Sequence, residues 1–261
     1  MIYKSLKILF PLSRYVDSIY YFSAEGNSFT KNIIPDGKTD IVFNLNSNEI
    51  GFYKNEKKLY SNKSVIQGLR KRNFNYFSKE KICIAGIRLM PYGLFTLFNV
   101  RSSDISEDPV ELNLVLGKNI NELEEKLFDA KEIEDKFRLL QNWLFSFFIK
   151  REERNGMLID AIHKIYNSQG KSQINNVCKN YNYYKKIQRS FHDAIGISPK
   201  LYARMVRFES LHNDLLNTDK IDWMNIVSKY NFFDQSHLSK EFQFFTGHSP
   251  QEFVYRINNF V

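Results

Sequence analysis

The sequence has 261 residues, of which 43% are hydrophobic and 15% aromatic, a composition that predicts a packed globular protein and excludes an intrinsically disordered one. The net charge of +8 favours a polyanionic partner, yet residues 156–261 hold only 13 Lys/Arg against 9 Asp/Glu, so charge alone identifies no ligand. No stretch approaches the roughly 18 apolar residues of a membrane span, and the start lacks a signal-peptide pattern. We therefore expect a cytoplasmic protein with no membrane partner.

Residues 1–117 predict a β-rich domain with a little helix. The runs "VDSIYYF", "TDIVFNLN" and "KICIAGIRL" are rich in β-branched and aromatic residues, which is typical of strands. "IPDGKTD" at residues 34–40 has the Pro-Asp-Gly chemistry of a tight turn, "NSNEIG" predicts another turn, and "LFTLF" after "MPYG" predicts a short helix. A ligand site at the Pro-Asp-Gly turn is a less favoured alternative. For Arg70 and Arg88 we favour internal ion pairs over an anion site.

Residues 118–155 predict a helical connector between two domains. The segment "NINELEEKLFDAKEIEDKFRLLQNWLFSFFIKREERN" contains neither Gly nor Pro, alternates in the sign of its charges and repeats apolar residues at helical spacing. The predicted apolar positions are Leu123, Leu127, Phe137, Leu140, Leu144 and Phe147. We favour one or two helices packed on both domains, with a role in a homodimer as the alternative.

Residues 156–261 predict an all-α domain. "MLIDAIHKIYNSQG" ends on Gly170, a residue type suited to the left-handed backbone that follows many helices. "PKLYARMVRFESLHNDLL" predicts a helix from Pro199 to Leu216, with Ser198 as its N-cap and Pro199 as its first residue. The 18 residues of this helix would span roughly 27 Å.

A tandem repeat lies within this domain. "FHDAIGISP" and "FQFFTGHSP" share Phe, Gly, Ser and Pro at a separation of 51 residues, and a short helix is expected before each copy, near Val177 and near Val227. Each copy therefore has helix-turn-helix anatomy. The matching pairs are Phe191 and Phe242, Gly196 and Gly247, Ser198 and Ser249, and Pro199 and Pro250.

The second helix of each copy, here called a reading helix, is apolar on one side and polar on the other when drawn as a helical wheel. The polar sides carry Lys, Arg, Gln and Ser, whose side chains can donate to guanine or pair with adenine in the major groove. The long helix between the copies could hold the two reading helices near the ~34 Å of one DNA turn. The apolar stripes are Ile187, Phe191 and Ala194 in the first copy and Leu238, Phe242 and Phe245 in the second.

"FFDQSHLSKEFQFFTGHSPQEF" resembles the signature of the AraC/XylS family of bacterial transcription regulators, and "IQRSFHDAIGISPKLYARMVRF" resembles the first helix-turn-helix and connecting helix of that family. The likeness covers residues 156–257. Asn231 stands where the family commonly has Gly, and Asn tolerates the positive φ of such a turn. The resemblance implies base contacts from both reading helices, and packing of His237 is an equally open alternative. The implied positions are Lys185, Gln188, Arg189, Gln235, Ser236, His237 and Lys240.

The N-terminal stretches "IPDGKTDIVFNL", "IQGLR" and "AGIRLMPYG" resemble an uncharacterised domain often found ahead of such DNA-binding regions. We therefore predict an α+β transcription regulator with a β-rich sensor or regulatory domain at 1–117, a helical connector at 118–155 and a double helix-turn-helix domain at 156–261. The implied partners are double-stranded promoter DNA and RNA polymerase. A small-molecule effector and a homodimer remain open.

Enzymatic activity is not expected. The sequence has no Ser/His/Asp set with supporting context, no phosphate-binding glycine loop and no metal-ligand cluster, and Cys83 and Cys178 are too few and too far apart for a metal site. We expect no catalytic residues, no cofactor and no metal. The alternative function is a ligand- or partner-binding module whose helical half does not read DNA specifically. Salt-sensitive, sequence-dependent DNA binding would separate the two.

Overall fold

The computed structural model describes most of the chain. Strands lie at or before residue 111 and the C-terminal part is helical, so the α+β class predicted from the sequence is confirmed. The described residues are 1–25, 29–46, 49–54, 57–61, 63–78, 81–105, 107–117, 119–148, 156–172, 181–218 and 221–260.

The N-terminal part contains two antiparallel sheets. The larger sheet has the strand order β1-β2-β9-β4-β7-β10 and the smaller one β3-β8-β5-β6. The three runs predicted as strands become β2, β4 and β9, which are neighbours at the centre of the larger sheet. The strands are β1 (Ile2–Lys7), β2 (Val16–Ala24), β3 (Phe29–Ile33), β4 (Thr39–Asn44), β5 (Ile50–Lys54), β6 (Lys57–Ser61), β7 (Val65–Gln67), β8 (Phe74–Ser78), β9 (Ile82–Leu89) and β10 (Val110–Glu111).

The described helices follow the predicted pattern. The short helix predicted after "MPYG" is α1, and the long helix predicted from Pro199 is α7, where the Oγ of Ser198 accepts a hydrogen bond from the Leu201 N–H at 3.2 Å. None of the helices in the described part of the chain is long and apolar enough to cross a membrane. The helices are α1 (Gly93–Phe98), α2 (Leu112–Leu116), α3 (Ile120–Asp129), α4 (Ile133–Phe148), α5 (Gly156–Asn167), α6 (Tyr181–Ile195), α7 (Pro199–Leu216), α8 (Trp223–Lys229), α9 (Gln235–Thr246) and α10 (Pro250–Phe260).

The predicted connector forms α3 and α4, and its apolar stripe faces inward. All six predicted apolar positions are buried except Phe147, which is half-buried. Trp143 of α4 meets Phe43 of β4 edge-on, with ring centroids 6.1 Å apart, and stacks on Phe98 of α1 at 5.2 Å. The connector therefore packs on the larger sheet, and its role in a homodimer stays a prediction.

The Pro-Asp-Gly turn lies against α7, the helix between the two repeat copies. Gly37 has a φ of +76°, and a Cβ added there would lie 3.0 Å from Cε2 of Tyr202 on α7. The neighbouring Asp36 forms an ion pair with Arg88 of β9. The interpretation of Arg88 as part of an internal ion pair is therefore confirmed.

The β-rich part contacts the two reading helices, α6 and α9, at equivalent positions. The Oγ of Ser102, in a 3₁₀ turn at Ser102–Asp104, donates a buried hydrogen bond to the carbonyl oxygen of Ala194 at 2.7 Å. The backbone N–H of Asn73 donates to the carbonyl oxygen of Phe245 at 3.0 Å. Ala194 and Phe245 are 51 residues apart, which is the spacing of the repeat, and both carbonyls lie in the last helical turn, where no helical partner is available.

Candidate DNA-binding surface

The first reading helix buries its apolar stripe and exposes its polar side. The predicted stripe of Ile187, Phe191 and Ala194 is at most 1% exposed, so that part of the prediction is confirmed. Gln188 donates from Nε2 to the hydroxyl of Tyr184 at 2.8 Å, one turn earlier on the same helix. The helix begins at Tyr181. The predicted base-contacting residues on this helix are all exposed, and they are Lys185, Gln188 and Arg189.

The second helix-turn-helix consists of α8, a turn and α9. Asp222 caps α8 by accepting from the backbone N–H groups of Met224 and Asn225, and Asn231 in the turn has a φ of +52°, the positive value expected for it. Asp234 caps α9 by accepting from the N–H of His237 at 2.7 Å. These caps satisfy N–H groups that the first turn of a helix leaves without partners.

The second reading helix repeats the arrangement of the first. Its predicted stripe of Leu238, Phe242 and Phe245 is at most 1% exposed, and Phe242 and Phe245 pack on Phe208 of α7 with ring centroids 5.1 and 4.9 Å away. In the first copy Phe191 packs on Tyr202 of the same helix at 5.7 Å. Helix α7 thus carries both reading helices. Three of the four predicted base-contacting residues on α9 are exposed, and they are Gln235, Ser236 and Lys240.

His237 has a different environment from the other predicted contact residues. Its side chain is half-buried, its ring meets Phe232 edge-on at 5.4 Å, and its Nδ1 accepts a hydrogen bond from the backbone N–H of Phe233 at 3.3 Å. Its Nε2 lies 3.9 Å from a carboxylate oxygen of Glu241. The ring therefore packs in the turn of the second helix-turn-helix, and a base contact by His237 stays a prediction.

A buried ion-pair cluster joins α9 to α7, and the sequence analysis did not identify it. The carboxylate of Glu241 is 6% exposed and lies 2.9 Å from Nη2 of Arg204 and 3.6 Å from Nη2 of Arg207. The guanidinium of Arg204 lies 4.6 Å above the ring centre of Phe244, and that of Arg207 lies 4.3 Å from the ring centre of Phe232. The signal in the sequence was an acidic residue next to the apolar stripe of a reading helix. Such a residue needs a cationic partner if it is buried.

Some predicted features lie outside the described residues, namely the short helix near Val177, Cys178 and part of the turn "NSNEIG". Cys83 is a free thiol that lies 3.2 Å from the hydroxyl oxygen of Tyr21. Within the described ranges, no group of three or more His, Cys, Asp or Glu side chains is arranged to hold a metal ion.

Two protein-family models match separate parts of the chain. Residues 183–256 match a helix-turn-helix domain, and residues 10–111 match a domain of unknown function (DUF6597). The helix-turn-helix match covers α6 to α9, whose geometry is described above. The protein is therefore a DNA-binding transcription regulator. More specifically, the C-terminal region is a helix-turn-helix domain of the AraC type, as the sequence resemblance indicated.

The chain is also similar to solved structures of ToxT and CuxR. ToxT from Vibrio cholerae is 16% identical, with a TM-score of 0.44, over 90% of this chain and 98% of that chain. A structure of ToxT with a bound unsaturated fatty acid is 11% identical, with a TM-score of 0.46, over 91% and 94%. The AraC-like transcriptional activator CuxR is 10% identical, with a TM-score of 0.23, over 92% and 75%. None of the curated proteins compared with the chain matches it.

Proposed function

We propose that the protein binds promoter DNA sequence-specifically, with α6 and α9 in successive major grooves on one face of the duplex. The observation that carries the proposal is the equivalent burial of the two reading helices on α7, which leaves a polar face exposed on each. Helix α7 has 18 residues and therefore a length of roughly 27 Å, comparable to the ~34 Å of one DNA turn.

The exposed side chains have the chemistry that base recognition requires. Arg189, Lys185 and Lys240 can donate to guanine O6 and N7, and Gln188 and Gln235 can pair with adenine. Ser236 can donate or accept, and His237 joins the set if its ring turns away from Phe232. Phosphate contacts position the protein on the duplex, whereas these side chains set the choice of sequence.

The β-rich half has a regulatory role in this proposal. It senses a small-molecule effector or supports assembly, and RNA polymerase is the partner through which promoter binding affects transcription. The protein itself carries out no catalytic step and needs no cofactor. Each chain already holds two reading helices, so the proposal does not require a homodimer. It is equally compatible with one.

The test is selection of bound duplexes from a random pool by the full chain, followed by affinity measurements at several salt concentrations. We expect an enriched motif in two parts about one helical turn apart. Arg189→Ala and Lys240→Ala should each weaken specific binding by about 1–3 kcal/mol and relax sequence choice at one position. Lys7→Ala, an exposed lysine on β1, is the control and should leave the affinity unchanged.

The second candidate function is a sensor or interaction module whose helical half docks on protein. The extensive contact of the β-rich half with α6, α7 and α9 is compatible with that role. Failure of the full chain to enrich any motif, with equal affinity for all duplexes, would favour this alternative.

A further inference from the structure

Two large apolar side chains stand in solvent beside the first residue of α9. Phe233, in the turn before the helix, is 91% exposed, and Met224, near the start of α8, is 67% exposed. Both flank Gln235, one of the predicted base-contacting residues. Phe233 precedes Gln235 by two positions. The Sδ of Met224 accepts a hydrogen bond from Nε2 of Gln235 at 3.2 Å.

The side chain of Phe233 does not stabilise the local fold. It occupies the position before the N-cap residue Asp234, where an apolar side chain often packs on the fourth residue of the helix. That fourth residue is Leu238, which is 1% exposed and buried in the core, whereas Phe233 points into solvent. In this turn the side chain of the preceding Phe232 is buried instead, and it is 6% exposed.

The position of Met224 is fixed by a hydrogen bond of its backbone rather than by packing of its side chain. Its N–H donates to the Oδ1 of Asp222 at 3.0 Å as part of the α8 cap, and its side chain remains mostly exposed. Its sulfur accepts a hydrogen bond from Gln235, so it also orients the amide that is predicted to read a base. The exposed apolar pair is therefore physically connected to the polar reading surface.

We propose that Phe233 and Met224 form a contact site for the 5-methyl group of thymine in the major groove, next to the base pair read by Gln235. This inference rests on the proposed function. The N-terminal residues of a recognition helix approach the base edges in helix-turn-helix complexes. The thymine methyl is the apolar group that the four natural base pairs display in the major groove, and Phe is among the side chains that contact it.

The size of the effect follows from the burial of apolar groups. Removing one buried methyl group corresponds to about a fourfold loss of affinity. Removing the Phe233 ring deletes a larger apolar contact, and we expect roughly a tenfold loss on a duplex with thymine at the contacted position. The fold itself should be unaffected, because the side chain is almost fully exposed.

The experiment uses the full chain and the strongest duplex obtained by selection. Each thymine is replaced in turn by deoxyuridine, which lacks the 5-methyl group but keeps the same hydrogen-bonding edge. Dissociation constants are measured for the wild type, Phe233→Ala, Met224→Ala and the control Phe128→Ala. Phe128 is 63% exposed but lies on α3, away from the reading helices.

The proposal expects one or two positions where deoxyuridine weakens the wild type about fourfold and leaves Phe233→Ala unaffected. Phe128→Ala should behave like the wild type, and thermal melting should show Phe233→Ala as stable as the wild type. The proposal is overturned if no thymine replacement affects the wild type, or if the penalty is the same in wild type and Phe233→Ala. Absence of any enriched duplex refutes the proposed function itself, and that result is seen before deoxyuridine is used.

Discussion

Ser102 and Ala194 are joined by a buried hydrogen bond of 2.7 Å, from the Ser102 hydroxyl to the Ala194 carbonyl oxygen. The bond links the β-rich half to the last turn of the first reading helix, 92 residues further along the chain. Asn73 and Phe245 form the corresponding bond at the second reading helix. The β-rich half therefore supplies a donor to the same place in each copy of the repeat.

Ser102→Ala should lower the free energy of unfolding by about 1–2 kcal/mol, because it leaves the buried carbonyl of Ala194 without a partner. Denaturation by urea, monitored by far-UV circular dichroism, measures the change. Ser103→Ala is the matched control, since Ser103 is half-buried and its hydroxyl donates an exposed hydrogen bond to its neighbour Asp104. Equal effects of the two substitutions would contradict the importance of the Ser102 bond.

Gly37→Ala should destabilise the protein by about 2 kcal/mol for two reasons. Its φ of +76° disfavours a side chain, and a Cβ would press on the buried ring of Tyr202. Gly247→Ala is the control, because Gly247 has a similar φ of +74° while its nearest neighbour would be 3.9 Å away. We expect that control to lose only about 1 kcal/mol. If both variants lost the same amount, the contact between the turn and α7 would contribute nothing.

Glu241→Gln should destabilise the protein by about 2 kcal/mol, since Arg207 and the partly buried Arg204 lose their charged partner. Because Glu241 fixes α9 on α7, specific DNA affinity should fall further than non-specific affinity. Glu122→Gln, at an exposed pair with Lys126 on α3, serves as the control and should change neither quantity. A variant that kept full stability would show that the Glu241 cluster does not hold α9 in place.

Asp40→Asn should make stability less dependent on pH. Burial raises the pKa of Asp40 to about 6, although Arg70 and Lys38 nearby lower it. The folded pKa lies above the unfolded value, so the contribution of Asp40 is fully present below about pH 4 and is lost as the pH rises through 6. The unfolding free energy of the variant relative to wild type should therefore increase from pH 4 to pH 7, by up to about 3 kcal/mol. A difference independent of pH would refute the raised pKa.

Periodicity was sufficient to predict the reading helices, because one face of each is buried and the other exposed. The stripe from Leu238 to Phe245 could be predicted for that reason. The cap at Ser198 could be predicted from its residue type and from Pro199 after it. β1 was missed because it is an edge strand with almost every residue exposed, and such a strand has no alternation to detect. β7 was missed because its three residues are all buried and too few to show a period.

Contacts between distant segments could not be predicted from one sequence. The bonds from Ser102 and Asn73 come from loops without periodic pattern and end on backbone carbonyls, which every residue type possesses. The packing of His237 on Phe232 likewise depends on the conformation of the turn rather than on spacing. For the same reason, exposure of the predicted base-contacting residues follows from the helical wheel, while their target sequence does not.

Two of the described hydrogen bonds between the β-rich half and the reading helices end on main-chain oxygens, those of Ala194 and Phe245. Substitution of a side chain on the outward face of either helix leaves those oxygens where they are. The surface that chooses a target can therefore diverge during evolution, toward new operators, without disturbing the attachment through which the rest of the protein acts on it.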